Sequence, residues 1–252
     1  MSRHILIDRS EHDVLWFQRR NFLCAAAAWT AMGGLASAQA QSRSNIVELQ
    51  GDALLNGQRL LPQQTIQTGD QIVTGPGSTL VFVVGDASFK VRPNTQMAVE
   101  RGGSINAVSL LRLFTGAVAS VWGGGATRQI LTPTLTAGIR GTGVYAEVPA
   151  DGNGRSYLCN CYGTVDLVAS SDRVTSIADY HQAYWAEVQP RNGRMLTPAG
   201  AINHTDEELE VLARLVGQRT AWQIAGRKGV KDGSGYLDDK PGQARPTTKP
   251  RS

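Results

Sequence analysis

"GDQIVTGPGSTLVFVVGDASFKVRPNTQMAV", residues Gly69 to Val99, decides the fold class. It breaks into short apolar runs, Leu80 to Val84, Ser88 to Arg92 and Gln96 to Val99, divided by Gly85-Asp86 and Pro93-Asn94. Ser88-Phe89-Lys90-Val91-Arg92 alternates polar with apolar, so on a strand Phe89 and Val91 share a face. Leu80, Phe82 and Val84 share one in the same way. No 3.6-residue periodicity competes with this two-residue period.

The pattern continues outward. Turn signals recur at Asn56-Gly57, Gly75-Pro76-Gly77, Gly102-Gly103, Gly116, Gly123 to Gly125, Pro133 and Asp151 to Gly154. Spacings of about eight to twelve residues are those of an all-β domain. Val108 to Phe114 and Ala117 to Trp122 supply further strand-like runs. Residues 41–170 are therefore expected to form one all-β unit, solenoid-like or a sandwich.

Residues 171–226 read as a C-terminal extension with one helix. In "NHTDEELEVLARLVG", Thr205 and Glu208 form a capping box, and Asp206 and Glu207 suit the positive helix start. Leu209, Leu212, Leu215 and Val216 make an apolar stripe over residues 205–216, ended by Gly217 and suited to packing on the β unit. Residues 227–252 are rich in Gly, Pro, Lys and Arg and poor in apolar residues, the composition of a disordered tail.

Residues 1–40 read as an export signal. Arg19-Arg20-Asn21-Phe22-Leu23 precedes an Ala-rich apolar run, and Ala38 and Ala40 offer small-residue cleavage sites. "RRNFL" resembles a twin-arginine signal, with Gln18 where that motif usually has Ser or Thr. The expected location is the periplasm, with no membrane helix in the mature chain. Residues 41–226 hold 14 basic and 15 acidic residues, so the basic pI comes from the tail, which carries seven Lys/Arg against three Asp. A near-neutral core gives no footprint for nucleic acid.

The ordered motifs Gly69-Asp70, Thr74-Gly75, Leu80 to Val84, Gly85-Asp86, Phe89 to Val91 and Pro93-Asn94-Thr95 resemble the FecR periplasmic domain family. Thr132-Pro133 and Gly138-Ile139-Arg140-Gly141-Thr142 resemble that family's second hallmark. The resemblance covers residues 51–168. It implies an exported all-β module that contacts another envelope protein, in signalling or assembly, with no cofactor. Family members that regulate sigma factors from the inner membrane carry a cytoplasmic helical domain and a membrane helix. Neither precedes the β region here, so the direct sigma-factor mechanism is not expected to carry over.

The Gly-rich segment 138–143 admits three readings. A phosphate loop requires a following helix, whereas Val144 to Val148 is strand-like. A nucleophile elbow requires Ser between its glycines and a nearby base. Structural punctuation remains, with Gly141 and Gly143 allowing positive φ or close backbone approach. Arg140 is then expected to hold turn carbonyls or an acid such as Asp86. No Ser–His–Asp set or carboxylate pair is legible, so an enzyme is not expected.

"YLCNCYG", Tyr157 to Gly163, holds Cys159 and Cys161 two apart on one face of a strand. In an oxidising compartment a Cys159–Cys161 disulfide is the leading expectation, although bridging i and i+2 needs a bend or bulge. Packed free thiols are the bland alternative. A shared soft metal, Cu(I) or Zn²⁺, is the third, with His204 or His181 as further ligands. The alternative function is then a periplasmic metal-binding or redox protein using Cys159 and Cys161 with a His.

Overall fold

The computed structural model describes residues 44–102, 107–125, 128–151, 153–230 and 235–236. The expected signal segment 1–40 lies outside them, as does most of the expected disordered tail. Among the described residues no helix is long and apolar enough to cross a membrane.

The protein is mainly β. Seven short strands come first: β1 (Ile46–Gln50), β2 (Ala53–Leu55), β3 (Gln58–Arg59), β4 (Gln71–Thr74), β5 (Thr79–Val84), β6 (Ala87–Val91) and β7 (Gln96–Arg101). Then follow β8 (Val108–Trp122), β9 (Arg128–Leu131), β10 (Thr136–Val148), β11 (Ser156–Ala169), β12 (Asp172–Ala178), β13 (Gln182–Arg191) and β14 (Arg194–Ala199). All fourteen join one large open sheet. The pairing runs on beyond residue 170: β12 and β13 both pair with β11, and β14 with β13. The segment expected as an extension thus belongs largely to the sheet. Its strands were hard to read because they are partly exposed, with Ile177 and Val188 facing solvent.

Helix α1 (Asp206–Leu215) matches the expected position, with the Thr205–Glu208 capping box formed. A second helix, α2 (Ala221–Ala225), has its own capping box from Thr220 and Gln223 and ends on Gly226 at φ 68°. A small ladder pairs β15 (Gly229–Val230) with β16 (Gly235–Tyr236).

One apolar cluster draws Ile72, Leu80, Phe82, Phe89, Val99, Leu111, Ile130, Val165 and Leu196 from strands along the whole sheet. Strands from one end of the sheet to the other therefore share this core. Leu80, Phe82 and Val84 face it together, as do Phe89 and Val91. The opposite face of β8, β10 and β11 presents Ala119, Val121, Tyr145, Tyr157, Cys159 and Cys161 to a second cluster with Leu209, Leu212 and Trp222. The helical arm α1–α2 covers this face.

The three longest strands bend in mid-course, each at a glycine with positive φ: Gly116 (81°) in β8, Gly141 (62°) in β10 and Gly163 (96°) in β11. Each strand changes partner there. β8 leaves β7 and β9 for β6 and β10. β10 leaves β9 for β8, and β11 leaves β13 for β12. Segment 138–143 is thus the interior of β10 at its bend, not a loop between elements.

Candidate metal centre

The hallmark residues lie where they shape the sheet. Thr132 closes the turn into β10, its Oγ1 accepting from Leu135 N at 3.0 Å, with Pro133 in that turn. Gly138 lies in regular pairing with Asp166. A Cβ on Gly143 would sit 2.4 Å from the Tyr162 ring, so glycine is needed there for space. Thr142 donates to the Tyr162 carbonyl across the bend. Asn160, beside Thr142 Oγ1 at 3.1 Å, donates to the Ser176 carbonyl at 3.1 Å. Arg140 pairs with Asp166, not with the expected Asp86. Asp86 is held by Arg128 at 2.6 Å instead. Arg140 lies on β10 two positions from Gly138, which pairs with Asp166 on β11, so this acid is its cross-strand neighbour.

Beyond this bend lies a chemical cluster. Cys159 and Cys161 point from β11 into the second apolar cluster, both fully buried. The register with β10 slips at this point: Gly143 faces Tyr162 and Val144 faces Asn160, leaving Cys161 as the extra residue of a bulge. His181 sits between β12 and β13, and His204 lies just before the α1 N-cap; both are buried. His181 has φ of 26°, a conformation uncommon for a residue with a side chain. Its backbone N–H donates to the Cys161 carbonyl at 3.0 Å, which fixes it beside the bulge.

The four side chains converge. Cys159 Sγ and Cys161 Sγ are 3.9 Å apart and unbonded. Cys159 Sγ lies 3.5 Å from His181 Nδ1, and Cys161 Sγ lies 3.4 Å from His204 Nε2. The two imidazole nitrogens are 3.1 Å apart. All four ligand atoms fall within 4.8 Å of one another. In this arrangement two thiols face two imidazoles.

These distances can be compared with a coordination polyhedron. A tetrahedral Zn²⁺, with Zn–S of about 2.3 Å and Zn–N of about 2.0 Å, puts two sulfurs about 3.8 Å apart, sulfur and nitrogen about 3.5 Å and two nitrogens about 3.3 Å. Four of the six edges of the cluster are of that order and size, and all six lie within 4.8 Å.

The outer partners suit ligation too. His181 Nε2 lies 3.0 Å from Asp206 Oδ1, so Nδ1 is the nitrogen that faces the sulfurs. His204 Nδ1 lies 2.6 Å from the Ile202 carbonyl, so Nε2 faces them. A carboxylate or carbonyl behind each imidazole is the usual second shell of a metal-binding histidine. Asp206 is itself held by the Tyr180 hydroxyl at 2.9 Å and by Lys228 Nζ at 3.1 Å. The rings are clamped as well: His204 stacks on Tyr145 at 4.7 Å and His181 on Trp222 at 5.4 Å. Burial pushes the Cys159 thiol pKa up, but contacts with Cys161, His181 and His204 outweigh it and hold this thiol well below its ordinary value. Thiolate is the form a metal binds.

The sequence had marked both cysteines and both histidines, without showing that the four meet. Asp206 and Tyr180 carried no sequence signal of a role here; Asp206 read only as a helix-start acid. Lys228, assigned to the tail, reaches Asp206, Glu207 and Glu210 at the start of α1.

No protein-family model matches the chain, and no curated protein matches it. Two solved structures, both described as a candidate anti-sigma factor from Parabacteroides distasonis ATCC 8503, are similar in fold, with TM-scores of 0.43 and 0.44. They are 12% and 13% identical over 58% and 60% of this chain. The match spans 65% and 66% of the length of those chains.

Proposed function

We propose that this protein is a zinc-stapled β module, in which Cys159, Cys161, His181 and His204 bind one Zn²⁺ and the ion ties the α1–α2 arm to the sheet. The observation that carries this reading is the buried set of two sulfurs and two nitrogens within 4.8 Å of one another, each imidazole backed by its own acceptor. Zinc suits such mixed sulfur–nitrogen sites, and four protein ligands leave no open position for a substrate. The centre is therefore structural, and the module acts by binding rather than by catalysis. Its setting in this reading is the cell envelope, where it serves protein contacts in signalling or assembly. The twin-arginine-like "RRNFL" and the FecR-like motifs support that setting.

Two experiments test the reading. Purification without chelator, followed by elemental analysis, is expected to give one zinc per chain. Substitution with Co²⁺ should give the visible spectrum of a tetrahedral thiolate site. A protein that retains no zinc, and takes up neither ion after reduction, refutes the metal reading. Export is tested by Arg19→Lys with Arg20→Lys and cell fractionation. Unchanged yield outside the cytoplasm refutes the twin-arginine route.

A further inference from the structure

The two sulfurs that close the centre are also the pair best placed to close on each other. They are unbonded at 3.9 Å, on the same face of β11, at a bulge that already departs from flat strand geometry. Two of the four metal ligands lie outside the β10–β11 pair, and one of these, His204, is carried at the root of the arm. The ion's support Asp206 is the first residue of α1. Whatever occupies the sulfurs therefore decides whether the arm is cross-linked to the sheet.

We infer that Zn²⁺ and a Cys159–Cys161 disulfide are alternative occupants of this pocket, and that the choice between them sets whether α1–α2 is stapled down or held by side-chain contacts alone. The inference rests on the zinc reading above. In the loaded form both sulfurs are thiolates bound to the ion. Ligation withdraws the free thiolate that oxidation requires, so they are shielded from oxidants. In the metal-free form the same two thiols react with a small disulfide such as oxidised glutathione. One thiolate attacks a glutathione sulfur and expels one glutathione thiolate. The second thiolate then attacks the mixed disulfide at the protein sulfur and expels the other. Two protein thiols lose two electrons and two protons, and one oxidised glutathione becomes two reduced ones. The bridged sulfurs no longer offer thiolates, so the pocket keeps two imidazoles and loses its metal affinity.

The rest of the docking is independent of the sulfurs. Glu208 is paired with Lys90 at 2.7 Å and Arg92 at 2.6 Å. Ser88 Oγ donates to the Leu212 carbonyl at 2.8 Å. In the bridged state, without the ion, these contacts and the Leu209–Leu212–Trp222 face hold the arm. Beneath it lie the apolar Ala119, Val121 and Tyr145 of the sheet. The bridged state thus covers this apolar surface with one cross-link fewer than the loaded state.

The test uses the full chain with Cys24→Ser, which leaves Cys159 and Cys161 as its only thiols. Zinc-loaded and metal-free samples are treated with oxidised glutathione, and thiols are counted by labelling. The loaded sample is expected to keep both thiols, and the metal-free sample to lose both with a two-hydrogen drop in mass. The bridged protein is expected to bind zinc at least 100-fold more weakly, and to recover on reduction. Amide exchange of α1 should be at least tenfold faster in the bridged than in the loaded form. Equal zinc affinity before and after bridging, equal α1 exchange, or thiols lost from the loaded form at the metal-free rate would each overturn the inference. Failure of the reduced protein to bind zinc at all overturns the metal reading instead, so the two failures are distinguishable.

Discussion

His181 Nε2 and Asp206 Oδ1 lie 3.0 Å apart although the residues are 25 apart in sequence. The contact joins the β12–β13 connection to the first residue of α1. It orients the His181 ring so that Nδ1 faces the two sulfurs.

Replacing Asp206 by Ala should leave one zinc per chain but weaken its binding by about 10–100-fold, the usual cost of losing a second-shell partner. Competition with a chromogenic chelator measures it. Unchanged affinity would mean that His181 needs no carboxylate to ligate.

Zinc should also stabilise the fold. At free zinc 1,000-fold above its dissociation constant, linkage gives about 4 kcal/mol. Denaturant unfolding with and without the ion is the measurement. Cys159→Ser should abolish the zinc-dependent part, whatever its effect on the metal-free protein.

Glu208 gives a pH test. Burial pushes its pKa up, but Lys90, Arg92 and the helix-start amide of Thr205 prevail and hold it below the ordinary carboxylate value. A depressed folded-state pKa means that the stabilisation is complete above the unfolded value of about 4.3 and fades as pH falls through the lower folded value. Glu208→Gln should therefore cost about 1–3 kcal/mol at pH 7, in the range for hydrogen bonds to charged groups. The gap between the two proteins should narrow towards pH 3. Thermal unfolding of both in metal-free form checks this, and a gap that widens in acid would contradict it.

The bend glycines should differ from their neighbours. Gly163 has φ of 96°, and a Cβ there would sit 2.7 Å from Thr142 Cβ and 2.8 Å from the Gly141 carbonyl oxygen. Gly138 has only ordinary contacts, the nearest at 3.6 Å. Gly163→Ala should cost about 1–3 kcal/mol or more, whereas Gly138→Ala should be nearly neutral. Equal losses by denaturant unfolding would remove the special role assigned to the bend.

What the sequence determined by itself was local. The alternation of Leu80, Phe82 and Val84, the turn signals between strands and the Thr205–Glu208 cap are each written within a few residues. Two-residue and 3.6-residue periods are read over such windows, and so the β class and α1 were legible. Only the tertiary structure decided the rest. Gly141 and Gly163 sit at a shared bend because β10 and β11 pair along both their lengths, and Arg140 meets Asp166 for the same reason. Cys159 meets His181 from 22 residues away, and Cys161 meets His204 from 43. A contact across that distance depends on strand register, on the bulge at Cys161 and on the docking of α1, all set by burial of the two apolar clusters. No spacing within the chain encodes those three together, so four residues that could be named one by one became a cluster only in the folded molecule.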